Sequence, residues 1–494
     1  MRAISAQLET APEKTVVCSG ISGDCSKADA VAAHVDWVSA SIKDRLRVVR
    51  SARQQMALRA EDFAAAISPN LARTKADTLV TELLPLLDAC RFLERSAPRL
   101  LAPRRLGRKG RPLWLSGVVA EIHREPLGQI LVIGPSNFPL FLPGVQTMQA
   151  LVAGNTVIWK PGAGGGAVAK LVADILLDAG LPIGVLTITD ESVEAARCAL
   201  AAAPDKVIFT GSSTSGQSIL ARLAETATPA VVELSGADAI VVTPSANLSR
   251  VAKALAYGLH LNGGAVCMSP RRLFATASTM TALRPLLDAE LAKVPAVKLE
   301  GTTAERLREM LDEAIREGAE VIGVLDPQAQ KPLLVEHATA TMSITSSDIF
   351  APVLSMIAAE SMLHVPELYA RCPYALTVSI FCSKKDEKKA RLLAKMLKAG
   401  TVLMNDVIAP TADPRVPFGG RGASGYGVTR GAEGLLEMTA VKTLLVRRSG
   451  ATRHLNATSE EDTPIFSALI RSIHGKSLAV RWTALWQLVK LARH

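Results

Sequence analysis

Three short apolar runs constrain the fold of this 494-residue chain more than any other feature. Gln129-Ile130-Leu131-Val132-Ile133 ends in Gly134-Pro135. Thr156-Val157-Ile158-Trp159 ends in Lys160-Pro161, and Lys206-Val207-Ile208-Phe209 ends in Thr210-Gly211. Continuous rather than alternating apolar residues indicate strands buried on both faces, as in a parallel sheet. Between them lie stretches rich in Ala and Leu, such as Val168 to Ala179, with the length of crossover helices. Strand–helix–strand alternation predicts an α/β fold with a parallel sheet. A second alternating region runs from about 235 to 425. Its expected strands are Ala239–Val242, Arg272–Phe274 and Ala375–Phe381, and its expected helices Leu248–Leu261 and Ala304–Glu317.

The flanks read differently. Residues 27–100 are helical by periodicity, with apolar positions at Val31, Val35, Val38 and Ile42, and again at Leu79, Leu83, Leu86, Leu87 and Cys90. Pro103 to Pro112 is a basic break, Val441–Val446 is strand-like, and residues 448–464 form a polar linker. The seven cysteines are scattered and contain no CxxC pair, which argues against a disulfide framework or a zinc site and fits a reducing, cytoplasmic setting. Met1 to Gly20 lacks the apolar core of a secretory signal, and no run of 18 apolar residues predicts a spanning helix. The net charge of +10 gathers at Arg104–Arg111 and after Asp462, where Arg471, Lys476, Arg481, Lys490 and Arg493 meet no acid. Aromatics are only 4% and are not interleaved with these cations, so no nucleic-acid partner is expected.

Four local features carry chemistry. Phe209 to Gly216 is a Gly/Ser stretch between a strand and a helix, either a plain turn or a cradle for an anion. Gly134-Pro135-Ser136-Asn137-Phe138-Pro139 closes a strand with an Asn, either a turn residue or an oxyanion donor. Cys267, in Asn262-Gly263-Gly264-Ala265-Val266-Cys267, is a small core residue or a nucleophile. Glu233 closes an apolar strand before Leu234-Ser235-Gly236, as a cap or salt-bridge residue or as a general base. Glu233 and Cys267 lie thirty-four residues apart. A thiol forms a covalent intermediate, and a carboxylate activates the water that cleaves it.

Taken in order, these segments resemble the aldehyde dehydrogenase superfamily over roughly residues 30–447. The resemblance also rests on Ala153-Gly154-Asn155-Thr156-Val157-Ile158-Trp159-Lys160-Pro161, Asp348-Ile349-Phe350-Ala351-Pro352-Val353 and Pro417-Phe418-Gly419-Gly420-Arg421-Gly422-Ala423-Ser424-Gly425. It implies a Rossmann-like NAD(P)-binding domain (1–103 and 126–234), a catalytic α/β domain (235–425) and β-strand oligomerisation segments (104–125 and 435–447), followed by a linker and basic, partly amphipathic helix (448–494). It implies aldehyde oxidation to a carboxylic acid, with Cys267 as nucleophile, Asn137 as oxyanion donor and Glu233 as base for water. Lys160, Gly211, Ser212, Gly216, Asp348 and Phe350 would hold the cofactor. The family relationship suggests a homodimer or homotetramer.

Several positions depart from the family pattern. Ser136 replaces the usual Trp, Ala265 the usual Gln, and Ser235 a Gly. Asp348 replaces Glu, and Ala351 a Gly. Small residues at 136 and 265 hint at a roomier site. Lys160-Pro161-Gly162-Ala163 lacks the acid that NAD-preferring members carry there, so NAD and NADP both remain open, NAD being the commoner cofactor of the family. Two other functions stay open: a CoA-acylating relative, and an idle homologue serving as a binding or assembly protein. Residues 465–494 lie beyond the usual family end. Leu478, Trp482, Leu485 and Val489 share one helical face there, whereas Leu488 and Leu491 fall off it. The extension packs on the enzyme itself, or makes a peripheral contact with a membrane or a protein.

Overall fold

A computed structural model describes residues 35–67, 71–450 and 453–491. The expected helical start at 27, Val31, and the terminal Arg493 lie outside them. The helical reading up to residue 100 resolves into helices Ile42–Leu58, Ala60–Ala66, Lys75–Thr78 and Leu84–Leu100, with a π-helical turn at Leu79–Leu83. Their buried face (Leu46, Val49, Met56, Leu86, Cys90 and Leu93) packs in one core with Trp159 and Val132 of the first sheet.

Two sheets organise residues 124–442. The first has six strands, in the order Gly425–Tyr426, Ala230–Leu234, Lys206–Gly211, Gln129–Ile133, Thr156–Lys160 and Leu186–Ile188. All its pairings are parallel except that of Gly425–Tyr426, which closes the edge antiparallel. The three apolar runs are therefore three adjacent inner strands of the sheet, buried on both faces as their composition requires. The second sheet has seven strands, in the order Glu320–Ile322, Leu333–Glu336, Val353–Ala358, Pro270–Ala275, Asp238–Val242, Thr377–Phe381 and Thr401–Met404. It too is parallel apart from its first pair. This is the expected α/β fold, with a Rossmann-like sheet followed by a catalytic sheet.

The chain leaves the first sheet at the C-terminal end of Ala230–Leu234 and enters the second at the N-terminal end of Asp238–Val242. Site segments of the first sheet thus lie at or just beyond the C-terminal ends of its strands: Gly134–Asn137, Lys160, and Gly211–Ser212. Those of the second sheet precede its strands: Cys267 before Pro270–Ala275, and Asp348–Phe350 before Val353–Ala358. Two boundaries differ from those the sequence suggests. The helix after Gly211 begins at Ser213, so Gly216 lies in its first turn and not in a loop. The 435–447 segment opens on the end of helix Gly431–Glu437 before the strand Thr439–Arg447.

Residues 103–123, 443–450 and 453–491 form a separate compact unit. Arg104–Arg105, Val118–Pro126 and Thr439–Arg447 make a three-stranded sheet. The C-terminal extension is not one helix but two, Thr463–His474 and Leu478–Leu491, which pack on each other. Gly475 makes the break. A Cβ there would lie 2.5 Å from the Arg471 carbonyl oxygen, and Arg481 Nε donates to the Gly475 carbonyl at 2.7 Å. The expected polar linker is shorter than 448–464, because a Ser459/Asp462 capping box starts helical structure at Glu460.

Candidate active site

The loop that delivers Cys267 is set by left-handed backbone. Asn262, Gly263 and Gly264 all have positive φ, and a Cβ on Gly264 would meet the Ala351 carbonyl at 2.9 Å. Glycine is required there to let two backbones touch. Asn262, a tolerated non-glycine in that region, donates from Nδ2 to the carbonyls of Asn137 and Ala265, both at 3.2 Å. Asn137 Nδ2 in turn donates to the Ala265 carbonyl at 2.9 Å. The two loops are thereby stitched together beside the thiol.

One cavity of about 480 Å³ is lined by Asn137, Gly211, Ser212, Glu233, Cys267, Asp348 and Phe350. Seven of the nine residues expected from sequence therefore converge. A second cavity, about 810 Å³, is lined by Lys160, by Gly211 to Ser215 except Ser213, and by Arg197 and Arg222. The cavities share Pro135, Thr210, Gly211 and Ser212, so one continuous path leads from Lys160 to Cys267. Gly216 lines neither. It is buried against the strand carrying Glu233, and a Cβ on it would meet Leu234 Cδ2 at 2.5 Å. Its place is close helix–strand packing, not the cavity wall.

The electrostatics are unusual at each acid. Glu233 is buried, and neither carboxylate oxygen has a hydrogen-bond partner. Burial pushes its pKa up to about 7, against the pull of Arg430. Burial, then the negative charges of Glu233 and Asp238, push the Cys267 thiol well above its ordinary value, while Arg430 draws it down. Cys267 is nonetheless only half-buried and lines the cavity. Access is present, but a depressed thiol pKa is not. Asp348 is likewise raised by burial and lowered by Ser235, and its Oδ1 has no partner. Asp238 is raised to about 7 by burial although Thr377 donates to it from both backbone and hydroxyl.

Sequence reading missed the residues that hold this arrangement. Arg430 is buried, its guanidinium 4.3 Å from the Phe418 ring centroid and donating to the Thr411 carbonyl at 2.5 Å. Arg73 and Glu82 form a fully buried ion pair. Arg73 also donates to the Asn137 carbonyl at 3.5 Å, and Glu82 accepts from the amides of Leu140 at 3.0 Å and Phe141 at 2.6 Å. The pair clamps the loop bearing Asn137. A basic residue followed nine positions later by an acid gave no signal of this role. Replacing Arg73 with Met strands the Glu82 carboxylate, at a cost of about 3–5 kcal/mol. Urea unfolding of Arg73→Met reads that loss. A change below about 1 kcal/mol would show that the pair does not anchor the loop.

The path suits a dinucleotide. Ser212 caps the helix Ser213–Ala224, accepting from Ser215 N at 3.2 Å, so that the helix N-terminus faces the shared stretch of the two cavities. Lys160 is buried at the far end, and the unpaired Asp348 Oδ1 lies near the thiol end.

Comparison with known proteins identifies the family. A family model described as the aldehyde dehydrogenase family matches residues 24–444. A 4,4'-diapolycopene aldehyde oxidase from Methylomonas sp is 26% identical, over 92% of this chain and 91% of that protein. The crystal structure of an NAD-dependent aldehyde dehydrogenase from Sinorhizobium meliloti superposes with a TM-score of 0.78 at 25% identity, covering 86% of this chain and 87% of the other. An NADP-dependent glyceraldehyde-3-phosphate dehydrogenase from Bacillus halodurans C-125, complexed with NADP, gives a TM-score of 0.78 at 25% identity, covering 85% and 90%. With its two parallel sheets and the meeting of Asn137, Glu233 and Cys267, the chain belongs to the aldehyde dehydrogenase family and is an NAD(P)-dependent oxidoreductase acting on aldehydes.

Proposed function

We propose that the enzyme oxidises its aldehyde to a carboxylic acid through a thioester on Cys267, released by water that Glu233 activates. The observation that carries this reading is an unpaired Glu233 carboxylate with a pKa of about 7 in the same cavity as a half-buried thiol. A base poised near neutrality is suited to deprotonating water. Cys267 Sγ bonds the carbonyl carbon as the thiol proton passes to water and the C=O π pair moves onto the oxygen. Asn137 Nδ2 and the Cys267 amide hold the oxygen as it gains charge. When bound, NAD or NADP supplies the hydride acceptor. Lys160, Gly211, Ser212, Asp348 and Phe350 bind and orient it. After oxidation Glu233 takes a proton from water, the water oxygen adds to the acyl carbon, and the C–S bond breaks to free the acid and the thiol. A CoA-acylating enzyme needs no such base, and an idle homologue needs no such meeting of three groups. Turnover of an aldehyde panel without CoA tests the reading. A strict CoA requirement would replace it with acyl transfer, and no turnover with any aldehyde would favour the idle homologue.

The favoured cofactor in this reading is NAD. The acid missing at Ala163 has a substitute: Glu191 accepts from the amides of Gly164 and Gly166, both at 2.7 Å. Glu191, with Asp190, also holds up the pKa of Lys160, which burial lowers. A carboxylate fixed against this segment repels a 2′-phosphate. Glu191→Gln is therefore expected to raise the NADP/NAD ratio of kcat/KM by about tenfold. An unchanged ratio would remove Glu191 from the account of specificity.

Small side chains at Ser136 and Ala265, together with the diapolycopene aldehyde oxidase relative, support a bulky apolar aldehyde as substrate. The strand Thr439–Arg447 lies at the edge of its sheet and exposes Val441, Leu444 and Leu445. An apolar open edge of this kind supports pairing with a second copy, in a homodimer or homotetramer.

A further inference from the structure

The C-terminal hairpin has more apolar surface than its own packing uses. Helix Leu478–Leu491 carries two apolar faces. Ala484 is buried, and Leu488 and Leu491 beside it are half-buried; this side packs in the hairpin, whose first helix buries Ala468. The other face holds Leu478, Trp482, Leu485, Trp486 and Val489, spaced so that all five project together. All five are exposed, Leu478 at 73%, Trp482 at 62% and Trp486 at 63%. The residues that seem to spoil the periodicity in sequence are thus a second, inward face.

Charge accompanies this stripe. Arg481 and Lys490 project roughly a quarter turn to either side of it, at about 3.6 residues per turn. Arg471 and Lys476 sit on the first helix and in the turn. No Asp or Glu follows Asp462, and the nearest acids, Glu460, Glu461 and Asp462, precede the first helix. Among the described residues no helix is long and apolar enough to cross a membrane. Exposed tryptophans between flanking cations, on a short helix without acids, match the chemistry of an anionic lipid surface, where indoles settle at headgroup depth and cations meet lipid phosphates.

We propose that residues 463–491 form a peripheral docking surface for an anionic membrane, engaged through the stripe of Leu478, Trp482, Leu485, Trp486 and Val489. The inference does not depend on the catalytic reading. It gives that reading a setting, since an aldehyde too apolar for water partitions into the same lipid.

Flotation of the full chain with vesicles tests this. Vesicles of phosphatidylcholine with phosphatidylglycerol are expected to carry the protein, and pure phosphatidylcholine vesicles to leave most of it behind. Trp482→Ala/Trp486→Ala, and separately Arg481→Glu/Lys490→Glu, should each weaken binding roughly tenfold or more, with turnover of a water-soluble aldehyde unchanged as the check on folding. Binding should also weaken as salt rises. Equal recovery of full-length protein in the soluble fraction with both vesicle types would overturn the proposal. So would flotation that both double variants retain. If the protein stays soluble and the tryptophan variant falls to a smaller mass by light scattering, the face belongs to a second copy of the chain and the membrane assignment is wrong.

Discussion

Cys267→Ala abolishes aldehyde oxidation, with kcat/KM expected to fall roughly 10⁴-fold or more, while the chain still folds. Among the described cysteines, Cys90, Cys372 and Cys382 are buried, Cys90 with its thiol pushed up to about 12. Of the described cysteines, only Cys267 lines the cavity with Asn137 and Glu233. Removing one sulfur from this half-buried side chain should cost only about 1 kcal/mol. Loss of activity with retained unfolding behaviour therefore separates a chemical role from a structural one. Production of NADH or NADPH at more than about a hundredth of the wild-type rate would mean that another group is the nucleophile. The thiol is not pre-ionised, since burial and Glu233 raise it. Burial and the neighbouring Glu233 charge make the free thiolate unfavourable in the resting site. Attack is thus expected to be coupled to loss of the thiol proton, and the apparent pKa for alkylation of Cys267 should fall when Glu233 is neutralised.

Glu233→Gln separates the two halves of the reaction. Acylation of Cys267 proceeds, but deacylation slows by roughly 10²–10⁴-fold because water has lost its base. The first turnover is then expected as a burst of reduced cofactor followed by a slow steady state. In the wild-type enzyme the deacylation rate should rise with pH through about 7, as Glu233 ionises; in the variant that limb should vanish. Stability should move the other way. A carboxyl whose pKa is raised on folding, from about 4.5 to about 7, weakens the fold as pH climbs through that window. Glu233→Gln should therefore stabilise the protein by about 3 kcal/mol above pH 7, and little near pH 4. Equal stability of the two proteins across that range would contradict the burial account of Glu233. The unpaired carboxylate is a local cost that the surrounding fold sustains for its chemistry.

The architecture was legible where burial on both faces forces a simple pattern. Gln129–Ile133, Thr156–Lys160 and Lys206–Gly211 have no solvent side, so their sequences are nearly continuous in apolar residues. Asn137, Glu233 and Cys267 were legible because each lies in a short motif at the end of an element. The residues that tune them were not. Arg73 reaches Asn137 across 64 residues, and Arg430 acts on Glu233 from a segment where it looks like any other cation in a glycine-rich run. Glu191 supplies from beyond the next strand a carboxylate that the local motif lacks. Such pairings exist only once the sheets have formed. Helix Leu478–Leu491 failed for another reason: two apolar faces on one helix blur the periodicity that either would show alone.

The catalytic mechanism turns on a covalent acyl group at one sulfur. Glu233→Gln protein mixed with aldehyde and NAD, quenched in acid within the burst and digested, gives the direct reading by mass spectrometry. The peptide containing Cys267 should carry the mass of the substrate's acyl group, on Cys267 itself, and only when both aldehyde and cofactor are present. An unmodified Cys267 while reduced cofactor accumulates, or an acyl group on another residue, would contradict the thioester mechanism.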